Sequence, residues 1–174
     1  MTTLDELFAS RIATVVPEAV GPTLAAELRG RLERTGYARY ALIDRGSYDV
    51  LASPDEPALL AALTGIARQV TGRPLALAEA RVLRLHAGDY LLAHHDRIHD
   101  DHPAELMLDL SAASVPGAEV HYRQRGQVFF RFPSRPGAVS VVERGPAVTC
   151  YHAYVSQRHA GASVVRLVAL LRNA

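Results

Sequence analysis

Turn residues cut the second half of the chain into eight short apolar runs, and this pattern constrains the fold more than any other feature. The runs are Glu79–His86, Tyr90–Asp96, Glu105–Ser111, Glu119–Arg123, Gln127–Phe132, Ala138–Glu143, Ala147–Ala153 and Ser163–Leu171. Between them stand Ala87-Gly88-Asp89, the polar stretch His99–Pro103, Pro116-Gly117, Arg125-Gly126, Pro133–Gly137, Gly145-Pro146 and His159–Gly161. Glycine and proline supply the backbone angles that end a strand. Strands this short and evenly spaced predict a sandwich or small barrel. The first half has a different period. Leu4, Leu7, Phe8, Ile12, Val15 and Val16 recur at helical spacing. Pro22 opens a second helical segment with Leu24, Leu28 and Leu32 on one face, and Gly36 closes it. Tyr37 to Ile43 reads as a strand, and a third helix is expected over Pro57–Val70, closed by Gly72. Helices followed by a run of strands predict an α+β domain in which the helices buttress one outer face.

Composition narrows the function. The chain has 174 residues, the size of one domain, with 49% hydrophobic and 21% charged residues. A net charge of +1 argues against a general nucleic-acid or anionic-membrane binder. All 19 basic residues are arginine, which excludes a Schiff-base lysine and a P-loop lysine. The single cysteine, Cys150, excludes an internal disulfide and any cysteine-rich metal site, and it fits a reducing compartment. Asp5 and Glu6 near the start are unlike a secretory signal, and no stretch approaches the roughly 20 apolar residues of a membrane span. The expectation is a cytoplasmic protein acting on a small molecule, without nucleic acid or membrane, its oligomeric state left open.

Five of the 8 histidines lie between His86 and His102. The sharpest element is His94-His95-Asp96 at the end of an expected strand. Side chains on a strand alternate, so His94 and Asp96 share a face. An imidazole, a carboxylate and one more histidine form a facial triad that leaves open positions on Fe(II). His152, on a late strand, is a candidate for the third ligand. The plainer alternative is a surface ion pair in a polar loop. A second clue is Arg166, which interrupts the most apolar strand of the chain. A charge there needs a partner. A bound carboxylate would suit its bidentate fork, and the internal alternative is Asp109, which interrupts another apolar strand.

The stretch Leu83-Arg84-Leu85-His86-Ala87-Gly88-Asp89-Tyr90-Leu91-Leu92-Ala93-His94-His95-Asp96 resembles the iron(II)/2-oxoglutarate-dependent oxygenases, in particular their prolyl-hydroxylase-like branch. The family pattern is a strand, a Gly-Asp-aromatic turn and then H-x-D. Pro133-Ser134-Arg135-Pro136-Gly137 resembles the family's later turn, and Tyr151-His152-Ala153-Tyr154-Val155 its distal-histidine segment. The resemblance covers residues 79–172. It implies a double-stranded β-helix (a jelly-roll or cupin-like barrel), with 1–78 as mainly helical support and about three helices against one sheet. It implies Fe(II) on His94, Asp96 and His152, with 2-oxoglutarate as cosubstrate gripped by Arg166, and O2. The implied activity is a dioxygenase that hydroxylates or otherwise oxidises an unactivated C–H, releasing succinate and CO2. Because Asp96 is present, the resemblance implies an oxygenase rather than a halogenase. The spacing from His152 to Arg166 exceeds the family's usual one, which leaves Arg158 open as the carboxylate anchor and His159 as the third ligand.

For the substrate, Arg84, His86, His121, Arg123 and Arg131 are candidates to line the barrel or its mouth, where cations would favour an acidic or amino-acid-like molecule. The alternative places them on solvated outer faces. His95, Arg97, His99 and His102 belong to a polar loop that would cover the site. Two other readings stay open: a cupin-like metalloenzyme that does not use 2-oxoglutarate, and a non-enzymatic β-barrel binding module. Cys150 and His152 would share a strand face, a weak hydrolase pair in a chain without G-x-S-x-G.

Overall fold

A computed structural model describes residues 8, 12–94, 103–145 and 147–174. Its elements are β1 (Ala13–Val16), α1 (Pro22–Glu33), β2 (Ala38–Leu42), β3 (Gly46–Ala52), α2 (Pro57–Thr71), β4 (Leu75–His86), β5 (Tyr90–His94), β6 (Ala104–Asp109), β7 (Val120–Gln124), β8 (Gln127–Phe132), β9 (Val139–Glu143), β10 (Val148–His152), a 3-10 turn (Gln157–His159) and β11 (Ser163–Asn173). The eight expected strands appear as β4–β11, with ends displaced by a few residues at most of them.

β11 organises the sheet. Its residues from Val164 to Leu171 are buried, so both of its faces are covered and both of its edges are paired, to β4 and to β6. One antiparallel sheet runs in the order β1-β9-β6-β11-β4-β3-β5-β10-β7-β8 and curls until its two halves face each other, a nearly closed barrel of jelly-roll type. β3 is the seam: Gly46 and Ser47 pair with β5, Asp49 to Ala52 pair with β4, and β2 lies on its other edge. A Cβ on Gly46, at φ 138°, would collide with the Tyr90 carbonyl, so only glycine lets β3 come this close to β5.

Two apolar layers follow from strand alternation. Val165, Leu167 and Ala169 of β11, with Leu106 and Leu108 of β6, face Leu28 and Leu32 of α1 and Leu63, Ala67 and Val70 of α2. Val164 and Val168, with Leu83, Leu85, Met107, Val120, Tyr122 and Phe132, fill the barrel interior. α1 and α2 both begin with proline at a first-turn position, and α2 ends on Gly72 at φ 65°. Arg31 of α1 grips Glu56, just before α2, at 2.8 Å, tying the two helix ends together. No helix among the described residues is long and apolar enough to cross a membrane.

The first half departs from expectation. Phe8 is helical, but the helical spacing does not carry through to Val15 and Val16, because Ala13–Val16 is a strand paired with β9. Leu4 and Leu7 lie outside the described residues. Thr14, Val15 and Val16 are β-branched, and the open edge of β9 offers their backbone a ladder that four residues of isolated helix cannot match. β3 was not expected at all. Among the described residues there are two full helices, most of the first expected helix lies outside them, and the first half also contributes β1, β2 and β3.

Candidate active site

The interior row of β10 is Val148, Cys150 and His152, all buried. β5 lies alongside, with His94 paired to Cys150 and Leu91 to His152 across a register slip. The backbone therefore brings His94 within two residues of the level of His152. The His94 side chain and Asp96 lie outside the described residues, as do His95, Arg97, His99 and His102. Among the described residues no three His, Cys, Asp or Glu side chains converge as a metal site.

Arg166 stands in the same interior, on the β11 row of Val164 and Val168. It is 1% exposed, and His152 is 2% exposed. Its Nη1 lies 3.2 Å from Nδ1 of His152, and its Nη2 donates to the Ala118 carbonyl. Its Nε is buried without a hydrogen-bond partner among the described residues. The ion pair with Asp109 is not made. Asp109 is the cross-strand neighbour on β6, but its carboxylate accepts from the backbone N–H groups of Ser111 at 2.8 Å and Arg135 at 2.7 Å. Burial pulls the Arg166 guanidinium below its ordinary pKa, and the attraction of Asp109 opposes this without cancelling it. A buried arginine remains a cation, and among the described residues no carboxylate is in ion-pair contact with Arg166. Arg158 is exposed on the 3-10 turn, and His159 sits half-buried on the same turn.

A second polar group occupies the interior. Tyr122 donates to Glu105 at 2.6 Å, and the other oxygen of Glu105 accepts from Arg144 at 2.7 Å. All three are buried. Burial first, then the Glu105 charge, raises the Tyr122 pKa, so the phenol keeps its proton. Sequence reasoning missed this group. Its signal was a glutamate opening the apolar run Leu106–Leu110 and an arginine, Arg144, ending another.

The proposed substrate cations are elsewhere. Leu83 and Leu85 take the interior row of β4, so Arg84 and His86 face outward. Arg84 pairs with Asp49 at 2.8 Å and lies 4.1 Å over the Tyr37 ring, and His86 Nε2 lies 3.1 Å from the same carboxylate. Arg39 bridges Asp49 at 3.2 Å and Asp89 at 2.9 Å. Asp89 also accepts from Ser47 at 2.7 Å and from the His86 N–H at 2.9 Å. This network clamps the β2–β3 ribbon to the β4–β5 turn. Likewise Val120 and Tyr122 take the interior row of β7, leaving His121 and Arg123 outside. His121 pairs with Glu119 at 2.9 Å, Arg123 lies 5.8 Å over Tyr151, and Arg131 is an exposed cross-strand neighbour of His121. Of the residues expected to line the barrel or its mouth, Arg84, His121, Arg123 and Arg131 therefore do not face the barrel interior. Each strand turns its apolar row inward, because burying the charged row would cost far more.

This architecture is shared with solved structures of 2-oxoglutarate/Fe(II) oxygenases, a prolyl hydroxylase among them. The chain superposes on a prolyl-4-hydroxylase from Pseudomonas putida with a TM-score of 0.78, at 16% identity, over 98% of this chain and 97% of that one. It superposes on a 2OG-Fe(II) oxygenase family oxidoreductase from Burkholderia pseudomallei with a TM-score of 0.79, at 14% identity, over 97% of this chain and 89% of that one. The non-heme alpha-ketoglutarate-dependent epimerase SnoN from nogalamycin biosynthesis gives 0.73, at 18% identity, over 98% and 81%. No protein-family model and no curated protein sequence matches the chain.

Proposed function

We propose that this chain is an Fe(II)- and 2-oxoglutarate-dependent dioxygenase acting on a small molecule. The observation that carries the reading is Arg166: a buried cation inside the barrel, with an unpartnered Nε and no carboxylate in ion-pair reach among the described residues, beside a buried histidine. That environment fits the distal carboxylate of a keto diacid. His94, Asp96 and His152 would hold the iron. With 2-oxoglutarate and O2, bound iron supplies the oxidation of an unactivated C–H, releasing succinate and CO2. The chain's own part is to exclude water, anchor the cosubstrate at Arg166 and position the substrate. Hydroxylation is the default outcome. Solved structures of the same fold include a carbocyclase and an epimerase, so the fold does not select it. The cations that favoured an acidic substrate lie outside the barrel, and the proposal therefore stops at a small molecule.

The test is an anaerobic titration of the metal-free protein with Fe(II) and then 2-oxoglutarate. A visible charge-transfer band is expected, absent in His94→Ala, and succinate should be released once substrate and oxygen are present. Tight iron binding without the band would move the cupin-like reading ahead. No iron binding at all would leave a binding module.

A further inference from the structure

We infer that Arg166 couples metal uptake at His152 to the binding of a carboxylate, so that each ligand favours the other. The inference rests on the oxygenase reading above. A neutral imidazole has one lone pair and one N–H, whereas a guanidinium only donates. With Arg166 Nη1 at 3.2 Å, Nδ1 of His152 accepts and Nε2 carries the proton. A metal needs a ligand lone pair. If it takes Nδ1, it displaces Arg166. If it takes Nε2, the proton moves to Nδ1 and two donors face each other. Either way the contact breaks.

Arg166 has nowhere among the described residues to go. It is 1% exposed, its Nε already lacks a partner, and Asp109 is committed to backbone N–H groups. Turned away from His152 with nothing to receive it, the guanidinium becomes a buried cation with fewer partners and a metal cation for a neighbour. A ligand carboxylate supplies both the charge and the acceptors its fork requires. Arg166 is then a positioning residue that serves His152 when the carboxylate is absent and the carboxylate when it is present. Coupling of this kind is reciprocal by linkage.

Mn(II), which needs no anaerobic handling, is titrated calorimetrically into the full metal-free chain and into Arg166→Met, each with and without butyrate. Butyrate carries one carboxylate and cannot bridge Arg166 and the metal as 2-oxoglutarate does. Nitrogen NMR of the metal-free protein reads the His152 tautomer. Arg166→Met is expected to bind Mn(II) alone about tenfold more tightly than the wild type, a typical coupling strength. Butyrate should tighten Mn(II) binding in the wild type and not in the variant, and His152 should carry its proton on Nε2 in the wild type. Equal Mn(II) affinity in the two proteins, or a wild-type His152 protonated on Nδ1, overturns the inference alone. If Arg166→Met does not fold, the tautomer and the butyrate effect on the wild type decide. No Mn(II) uptake by the wild type even with saturating 2-oxoglutarate overturns the oxygenase reading, and this inference with it.

Discussion

Asp89 holds the β2–β3 ribbon to the barrel, and its removal has a calculable cost. The carboxylate is 3% exposed and accepts from the His86 N–H, the Ser47 hydroxyl and Arg39. In Asp89→Ala, Arg39 is half-exposed and keeps Asp49, so its loss is small. Ser47 is half-buried and can turn to water. The His86 N–H is the group left stranded, and with the lost charged acceptor the total comes to about 2–4 kcal/mol. Asp89→Asn keeps an oxygen for that N–H and should lose only about 1 kcal/mol. Urea denaturation of the three proteins at pH 7 measures both values. Equal losses in the two variants would refute the reasoning, because the stranded N–H would then not be the dominant cost. The pH dependence is a second check. Burial pushes the Asp89 and Asp49 carboxyls up, but the hydrogen bonds to Asp89 from Arg39, the His86 N–H and Ser47, and those to Asp49 from Arg84, Arg39 and His86, outweigh it and hold both below the ordinary value of 3.8. Their folded pKa values are depressed, so the contribution is present above that value and is lost as pH falls through the folded ones. The gap between wild type and Asp89→Asn should close on acidification below it.

Two further outcomes follow from placement. Gly46→Ala puts a methyl into the Tyr90 carbonyl at a positive φ, and should lower stability by roughly 2–4 kcal/mol, read as a fall in melting temperature. Arg131→Ala removes an exposed side chain from the outer face of β8, and should leave the 2-oxoglutarate requirement for succinate release unchanged. A large rise there would return that face to the site.

Much of the architecture was legible because turn chemistry is local. Glycine and proline stand between most of the strands β4–β11, and the closely spaced turns between short apolar runs favour strands over helices. β1 and β3 were not legible. Four residues at Ala13–Val16 satisfy helical and extended spacing alike, and only the open edge of β9 selects between them. β3 alternates weakly and is held by neighbours on both edges. For the outer cations the signal is local: Leu83 and Leu85, or Val120 and Tyr122, are the apolar rows of their strands, and a buried face takes the apolar row.

The sequence by itself determined the eight strands β4–β11, an arginine within an apolar strand and a histidine on the preceding run, since each depends only on residue type and order. It did not determine which way Arg166 points. Both rows of β11 are apolar, Val164 and Val168 on one side and Val165, Leu167 and Ala169 on the other. Only the packing of α1 and α2 against the second row turns Arg166 into the barrel. That same packing, with the curl of the sheet, carries Nη1 to 3.2 Å from His152, on a strand β11 does not pair with.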